Sequence, residues 1–329
     1  MTLRDYINGV FSIQSEKEFC HYALFAFRYQ YEHNLIYRKY ADLIGCDSAD
    51  VNEIFQIPFL PISFFKNFQV VTGNHPPELI FGSSGTTGSR SFHYVLSADI
   101  YKESLLKSFE LAFGSAAQYA FVCLLPSYAE RNDSSLIYMA KELISKSRHP
   151  LSGFYLDAGD EELKKVLMKL ELANQPTILL GVTFALLELA EYFSMPLKSV
   201  LIMETGGMKG RGKEMIRQEV HQILKKAFSV DTVYSEYGMT ELLSQAYMRS
   251  DGYFYSPPWM RILCREPEDP FAWVGPGKTG GINVIDLANI YSCCFIETQD
   301  LGKTHSDSSF EVIGRFDHSD IRGCNLMVM

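Results

Sequence analysis

The regular exchange of short apolar runs with amphipathic stretches between residues 97 and 237 limits the fold of this chain more than any other feature. Ser97 or Asp99 can cap a helix in which Leu105, Leu106, Phe109 and Phe113 recur at helical spacing before Gly114. Ala120–Leu125 is a continuous apolar run of the length that a buried strand shows. Asp160–Ala173 sets Leu163, Val166, Leu167 and Leu170 on one side of a second helix. Pro176–Gly181 reads as another buried strand, Thr183–Phe193 as the helix after it, and Ser199–Glu204 as a strand stopped by Gly206 and Gly207. From Lys213 to Phe228 a further helix directs Ile216, Val220, Ile223, Leu224 and Phe228 at a core, and Asp231–Ser235 leads into another glycine turn. Strands alternating with helices imply an α/β fold with a largely parallel sheet covered on both faces. Ligands of such sheets sit at the carboxyl ends of the strands, where these glycine turns fall.

Both flanks of this region differ from it. Residues 1–70 are rich in aromatics (Phe25, Phe27, Tyr29, Tyr31, Tyr37 and Tyr40) and read as a helical leader ending in the proline-pinned segment Ile57-Pro-Phe-Leu-Pro-Ile62. After residue 250, Pro257, Pro258, Pro267, Pro270 and Gly275–Gly281 break the chain into short apolar pieces, the mark of a smaller β-rich region. The expected division is 1–250 and 251–329, the two forming one compact unit.

With 47% hydrophobic and 21% charged residues, the 329-residue chain can bury a sizeable core. A net charge of −9 without a basic cluster argues against a nucleic-acid surface. The start, Met1-Thr-Leu-Arg-Asp-Tyr6, lacks a secretory pattern, and Thr177–Ala190 is too short to span a bilayer, so a cytoplasmic protein with no transmembrane segment is expected. Seven cysteines without paired spacing indicate neither a disulfide framework nor a zinc site. Cys123, Cys293 and Cys294 lie in apolar runs and read as buried thiols, whereas Cys324 stands near the C-terminus after Arg322-Gly323.

Chemistry concentrates in the glycine-bearing segments. Phe81-Gly-Ser-Ser-Gly-Thr-Thr-Gly-Ser-Arg90 follows an apolar run and offers backbone N–H groups and hydroxyls as a concave donor surface for phosphate oxygens. It lacks the terminal lysine and spacing of a Walker A loop, and alone it could equally be a plain flexible loop. Thr205–Gly207, Ser235-Glu-Tyr-Gly-Met-Thr-Glu241 and Glu297-Thr-Gln-Asp-Leu-Gly302 join small, hydroxyl and acidic residues at the ends of expected strands, and Gly314-Arg-Phe-Asp317 follows.

In this order the motifs S-S-G-T-T-G, Y-G-x-T-E, T-x-D-x-G and G-R-x-D resemble those of the adenylate-forming superfamily. Within it, Ile57–Ile62, Leu125-Pro-Ser-Tyr-Ala-Glu-Arg131, Glu204-Thr-Gly-Gly-Met-Lys-Gly210 and Arg322-Gly-Cys324 resemble the acyl-protein synthetase (LuxE) family over nearly the whole chain. The resemblance implies a ligase that activates a carboxylic acid, a fatty acid by first expectation, as acyl-AMP and passes the acyl group to a thiol. It implies ATP held by Ser83, Ser84, Gly85, Thr86, Thr87 and Gly88, with Gly206, Gly207, Tyr237 and Gly238 beside the adenine. Asp300 would take the ribose hydroxyls, Arg315 the ribose or phosphate, Thr240 the α-phosphate, and Glu241 Mg2+. Cys324 would be the acyl acceptor, unless a carrier, acceptor protein or reductase partner supplies the thiol.

Each role has a plainer rival. Tyr237 could be core packing, Glu241 a helix-start carboxylate, the Asp300–Arg315 pair a structural bridge, and Cys324 an unremarkable tail thiol. Arg131 could be structural or line the substrate pocket. His93, His221 and His318 show no metal spacing and read as satisfied histidines. The superfamily's usual lysine at the end of the glycine loop is replaced by Ser91, so Arg90 is the nearest candidate cation. The superfamily also continues past G-R-x-D into a lysine-bearing C-terminal domain, which is expected to be missing here. Two alternatives stay open: a coenzyme A ligase similar to phenylacetate-activating enzymes, and a non-catalytic nucleotide-binding protein.

Overall fold

The computed structural model describes residues 1–84, 90–125, 133–206 and 215–316. Helices α1 (Leu3–Gly9), α2 (Glu16–His33) and α3 (Leu35–Leu43) form the expected leader. Ser15 and Asn34 cap the second and third by accepting the backbone N–H of Glu18 and Tyr37. α2 buries Phe19, Ala23, Ala26, Phe27 and Gln30, a single helical stripe. Strand β1 (Leu60–Pro61) and the short helix α4 (Phe64–Asn67) follow. Strands β2 (Leu79–Gly82) and β3 (Phe92–Val95) pair antiparallel as a separate hairpin that carries the glycine loop between them.

The alternation then unfolds as expected. Helix α5 (Ala98–Phe113), capped by Ser97 and closed by Gly114, leads to β4 (Ala120–Leu124), every residue of which is buried. Helix α6 (Ser135–Ser147) and β5 (Gly153–Tyr155) come next. Helix α7 (Glu161–Leu172), capped by Asp160, precedes the fully buried β6 (Thr177–Val182). Helix α8 (Thr183–Tyr192), β7 (Val200–Thr205), α9 (Arg217–Phe228) and β8 (Val233–Tyr237) complete the series. The strands lie in the order β5-β4-β6-β7-β8, all parallel.

Beyond β8 the same sheet continues antiparallel through β9 (Ala246–Met248), β10 (Phe254–Tyr255), β14 (Phe310–Arg315), β13 (Phe295–Thr304), β12 (Thr279–Asp286) and β11 (Met260–Arg265). β1 joins β13 in parallel. The result is one large mixed sheet flanked by helices, and it crosses residue 250 without interruption.

Two local expectations need correction. Glu297–Gly302 is not a turn at a strand end but the interior of β13, hydrogen-bonded to both β12 and β14, with a register shift at Leu301/Gly302. Its polar composition imitated turn chemistry, yet pairing on both sides satisfies its backbone. On α9 only Val220, Leu224 and Phe228 are buried; Ile216 is the extended residue before the helix and is exposed, and Ile223 lies at the exposed edge of the stripe.

Most of the aromatics pack the core. Phe27, Tyr37, Phe59 and Phe295 form one aromatic contact group, and Trp259 donates its indole N–H to Ser104 and Ser244. Cys123, Cys293 and Cys294 are buried thiols, and burial pushes Cys123 and Cys293 up to about 12. Among the described residues no helix is long and apolar enough to cross a membrane.

Candidate active site

A cleft of about 280 Å³ opens where the parallel half of the sheet meets the antiparallel half. The turns after β7 and β8, the ends of the β2–β3 hairpin, the start of α6 and the middle of β13 all reach it. Of the residues picked from sequence, Ser83, Ser84, Gly206, Gly238, Thr240, Glu241, Asp300 and Arg315 line this one space. Gly85, Thr86, Thr87, Gly88, Gly207, Arg131, His318 and Cys324 lie outside the described residues.

The hairpin closes the base of the glycine loop through reciprocal bonds. Ser83 N donates to Ser91 O at 3.0 Å, and Ser91 N donates to Ser83 Oγ at 3.0 Å. Gly206 turns the chain after β7 with φ +73°, a conformation that side chains other than glycine rarely take.

Behind this turn lies a buried carboxylate, Glu204. It accepts from Ser235 Oγ at 2.6 Å and Thr183 Oγ1 at 2.8 Å, with Arg217 Nε at 3.4 Å. Burial alone would raise its pKa, but the contacts of His221, Arg217, Ser235 and Thr183 outweigh burial and hold it at about 2.

Thr240 and Glu241 are fixed by a buried polar frame. Asn289 Nδ2 donates to the Glu241 carbonyl at 2.8 Å, and His93 meets the Thr240 carbonyl at 2.9 Å and Asn289 Oδ1 at 3.0 Å. Burial draws His93 down to about 4, so at neutral pH its ring carries one proton for these two oxygens. His93 is thus a buried core histidine that donates to one of the two oxygens at a time. Just downstream, Asp286 accepts the backbone N–H of Leu243 at 2.8 Å and of Ser244 at 3.0 Å. The Glu241 carboxylate accepts the hydroxyl of Ser91 in a short contact, and burial raises its pKa despite that bond.

Two assignments shift. Tyr237 is not among the described residues lining the cleft, because its ring packs edge-on against Phe254 and Phe310. Its hydroxyl donates to Asp300 Oδ2 at 2.9 Å, so it orients that carboxylate instead of offering a face to adenine. Asp300 also meets Arg315 Nε at 3.2 Å, and the guanidinium is 83% exposed at the cleft mouth. Arg90 is likewise absent from the described lining. It is engaged with the Asp133 carboxylate in a short contact and donates to Ser83 O at 2.8 Å.

Among the lining residues given no role from sequence are Lys66, Glu236 and Gln245. Lys66 on α4 reaches the cleft and, among the described residues, its side chain makes no hydrogen bond or ion pair. Its sequence signal was its place just past the proline-pinned segment. Glu236 and Gln245 also line the cleft, and both flank the Y-G-M-T-E run. Among the described residues no group of three or more His, Cys, Asp or Glu side chains could hold a metal ion by itself. Glu241 fits Mg2+ only in the manner usual for that ion, one carboxylate completed by phosphate oxygens and water.

This architecture is that of the adenylate-forming ligases. A 2-hydroxyisobutyryl-CoA ligase solved with 2-HIB-AMP and CoA aligns over 91% of this chain and 74% of its own, with a TM-score of 0.68 at 13% identity. ATP-bound MatB from Rhodopseudomonas palustris aligns over 74% of this chain, with a TM-score of 0.54 at 19% identity. The amide bond synthetase McbA from Marinactinospora thermotolerans aligns over 72%, with a TM-score of 0.51 at 15% identity. The aligned part spans about half of MatB and of McbA, 49% and 48%. At these identities the likeness establishes the fold.

The chain belongs to the acyl-protein synthetase (LuxE) family, whose profile matches residues 11–329, and is thereby an AMP-forming ligase. No curated protein matches the sequence significantly.

Proposed function

We infer that this protein activates a carboxylic acid with ATP, releasing pyrophosphate, and passes the acyl group to a thiol. The observation that carries the reading is the convergence of Ser83, Ser84, Thr240, Glu241 and Asp300 on one cleft. They come from sequence segments far apart, and they supply hydroxyl donors toward phosphate, a carboxylate for a cation and a carboxylate for ribose hydroxyls.

In the first step a carboxylate oxygen of the acid bonds to the α-phosphorus while the bond from that phosphorus to the bridging oxygen of pyrophosphate breaks. Such phosphoryl chemistry depends on positioning and on neutralising charge. Thr240 would hold the α-phosphate and Ser83 and Ser84, with the glycine loop, the β- and γ-phosphates. Mg2+ bound at Glu241 would offset polyphosphate charge. Among the described residues that line the cleft, Lys66 and Arg315 are the cations. In the second step a thiolate bonds to the acyl carbon and AMP leaves with the bonding electron pair. We assign the thiol to Cys324, next to Arg322, whose charge would favour the thiolate.

ATP–pyrophosphate exchange with Mg2+ across a panel of acids tests the first step. Exchange with one acid class supports it, and none, despite ATP binding, overturns an autonomous ligase. Cys324→Ala should keep exchange and lose the acid-stable, hydroxylamine-labile acyl-protein. If the acylated protein persists in that variant, Cys324 is not the acceptor. The fatty acid expectation rests on the family resemblance, and the abundant Phe, Tyr and Leu add nothing to it because the core accounts for them.

A further inference from the structure

One end of the cleft holds acceptor oxygens that nothing in the described structure satisfies. Gln245 lines the cleft, is only 5% exposed, and its side-chain oxygen Oε1 has no hydrogen-bond partner. Glu236 lines the same space. One of its oxygens, Oε2, accepts the Thr205 hydroxyl in a short contact, and no donor among the described residues meets the other. The two side chains face one small volume. A Cβ placed on Gly238 would stand 2.4 Å from Glu236 Oε1 and 3.5 Å from Gln245 Cγ. Glycine at 238 therefore leaves room for these groups.

An unpaired buried acceptor costs about 1–3 kcal/mol, so a site that keeps Gln245 Oε1 unpaired beside the half-buried Glu236 carboxylate is shaped for donors that arrive with a ligand.

Strand geometry says which ligand. Along β8, side chains alternate between faces. Tyr237 points to Asp300 and Ser235 to Glu204, whereas Glu236 lies opposite Tyr247 across the β8–β9 ladder, on the other face. That face is covered by α5, whose Phe109 packs against Tyr247. Tyr101 of α5, with Leu136 and Met139 of α6, lines the cleft there. The nucleotide residues Asp300 and Arg315 thus belong to one face of β8 and the unmet acceptors to the opposite one.

We propose that this protein selects a carboxylic acid bearing a hydrogen-bond donor on its acyl part, a hydroxyl or an ammonium group, which Glu236 and Gln245 receive. The proposal rests on the reading of this cleft as the site of carboxylate activation. Burial first and the nearby Glu204 charge second raise Glu236 to about 7, against the opposing pull of the Thr205 hydroxyl bond, so the acceptor is strongest above that pH.

The test uses the full chain at pH 8 and matched acids: butanoate against 3-hydroxybutanoate and 3-aminobutanoate, benzoate against 3-hydroxybenzoate and 3-aminobenzoate, tetradecanoate against 3-hydroxytetradecanoate. Affinity is read by calorimetry with α,β-methylene ATP present, and ATP–pyrophosphate exchange is read in parallel. A hydrogen bond to a charged group corresponds to roughly 10- to 100-fold, so the donor-bearing member of at least one pair should bind at least about 10-fold tighter. Glu236→Gln and, independently, Gln245→Met should shrink that ratio to about threefold or less. The ratio is read within each variant, which keeps it meaningful if one of them folds poorly.

Equal or better binding of every unsubstituted acid overturns the proposal, as does a preference that survives both substitutions. Loss of ATP affinity in Glu236→Gln without a change in acid preference also overturns it, by placing the nucleotide there. Selective binding without exchange upholds the proposal and sinks the ligase reading. Exchange without selectivity does the reverse, and no binding of any acid counts against both. A preference for the hydroxy or for the amino member identifies the donor.

Discussion

Replacing Asp286 with Asn changes one atom and removes one charge, yet it should be costly. The Asp286 carboxylate is fully buried and serves four donors. Oδ2 takes the N–H of Leu243 and Ser244, while Oδ1 takes the Ser244 hydroxyl at 2.6 Å and the Ala288 N–H at 3.2 Å. An amide must present its NH2 to one of these sides. The cheaper orientation faces Ala288, because the Ser244 hydroxyl can rotate to accept.

One backbone N–H is then orphaned, at about 1–3 kcal/mol, and two further bonds lose their charge assistance, at about 0.5–1 kcal/mol each. Against this, the variant no longer buries a charge, and burial does raise the pKa of Asp286. The net expectation is a loss of about 2–3 kcal/mol. Asp286→Ala, which orphans three N–H groups and leaves a void, should lose about 4 kcal/mol or more. Urea unfolding at pH 7.5 reads both values. Because Leu243 and Ser244 lie only two and three residues after Glu241, ATP–pyrophosphate exchange in the Asn variant should fall further than the unfolded fraction explains. An Asn variant within about 0.5 kcal/mol of the parent, with unchanged exchange, would refute the view that this carboxylate holds the loop.

Lys66→Met should lower kcat/KM for exchange about 10-fold or more while leaving Tm unchanged, since the side chain is exposed and unpartnered among the described residues; parent-like kinetics would remove Lys66 from the site. The carboxyl of Glu204 is lowered from 4.5 to about 2, so its stabilising contribution is complete above pH 4.5 and lost as pH falls through 2. The parent should therefore lose about 2 kcal/mol between pH 6 and pH 3 that Glu204→Gln does not lose, and parallel urea profiles would contradict the assigned network. On α9, Ile223→Asp should change stability by less than about 0.5 kcal/mol, whereas Leu224→Ala should cost about 2–5 kcal/mol in the same unfolding assay; the reverse ranking would mean the helix is rotated.

The parallel half of the fold was legible because its strands are buried on both faces. Ala120–Leu124 and Thr177–Val182 are unbroken apolar runs, and their flanking helices carry visible caps such as Ser97 and Asp160. Helix α6 escaped notice although Ser134 caps it and Ile137, Met139, Ala140 and Leu143 are buried. Strand β13 reads as a turn from sequence because four successive polar residues, Glu297 to Asp300, look like loop chemistry until both neighbouring strands are known. At the site, motif positions such as Thr240 and Asp300 carried their own signal. Lys66, Glu236 and Gln245 did not, because a lone lysine or glutamate acquires meaning only from what the chain brings beside it. The engagement of Arg90 with Asp133, and of Tyr237 with Phe254 and Phe310, is equally a matter of tertiary contact.

The parallel pairing of β1 with β13, Leu60 against Ile296 and Pro61 against Glu297, has a consequence for biosynthesis. A ribosome releases the leader helices and the proline-pinned segment long before β13 exists. The parallel strands from β4 to β8 can assemble as they emerge, since their neighbours are near in sequence. β1, by contrast, must wait with its backbone edge open, and so must β10, whose partner β14 is among the last strands made. Such late closure couples completion of the cleft wall that carries Asp300 and Arg315 to the emergence of β13 and β14. A nascent chain halted before residue 295 would thus carry open edges and no Asp300 or Arg315, a species for chaperones to hold, with no finished cleft to bind ATP.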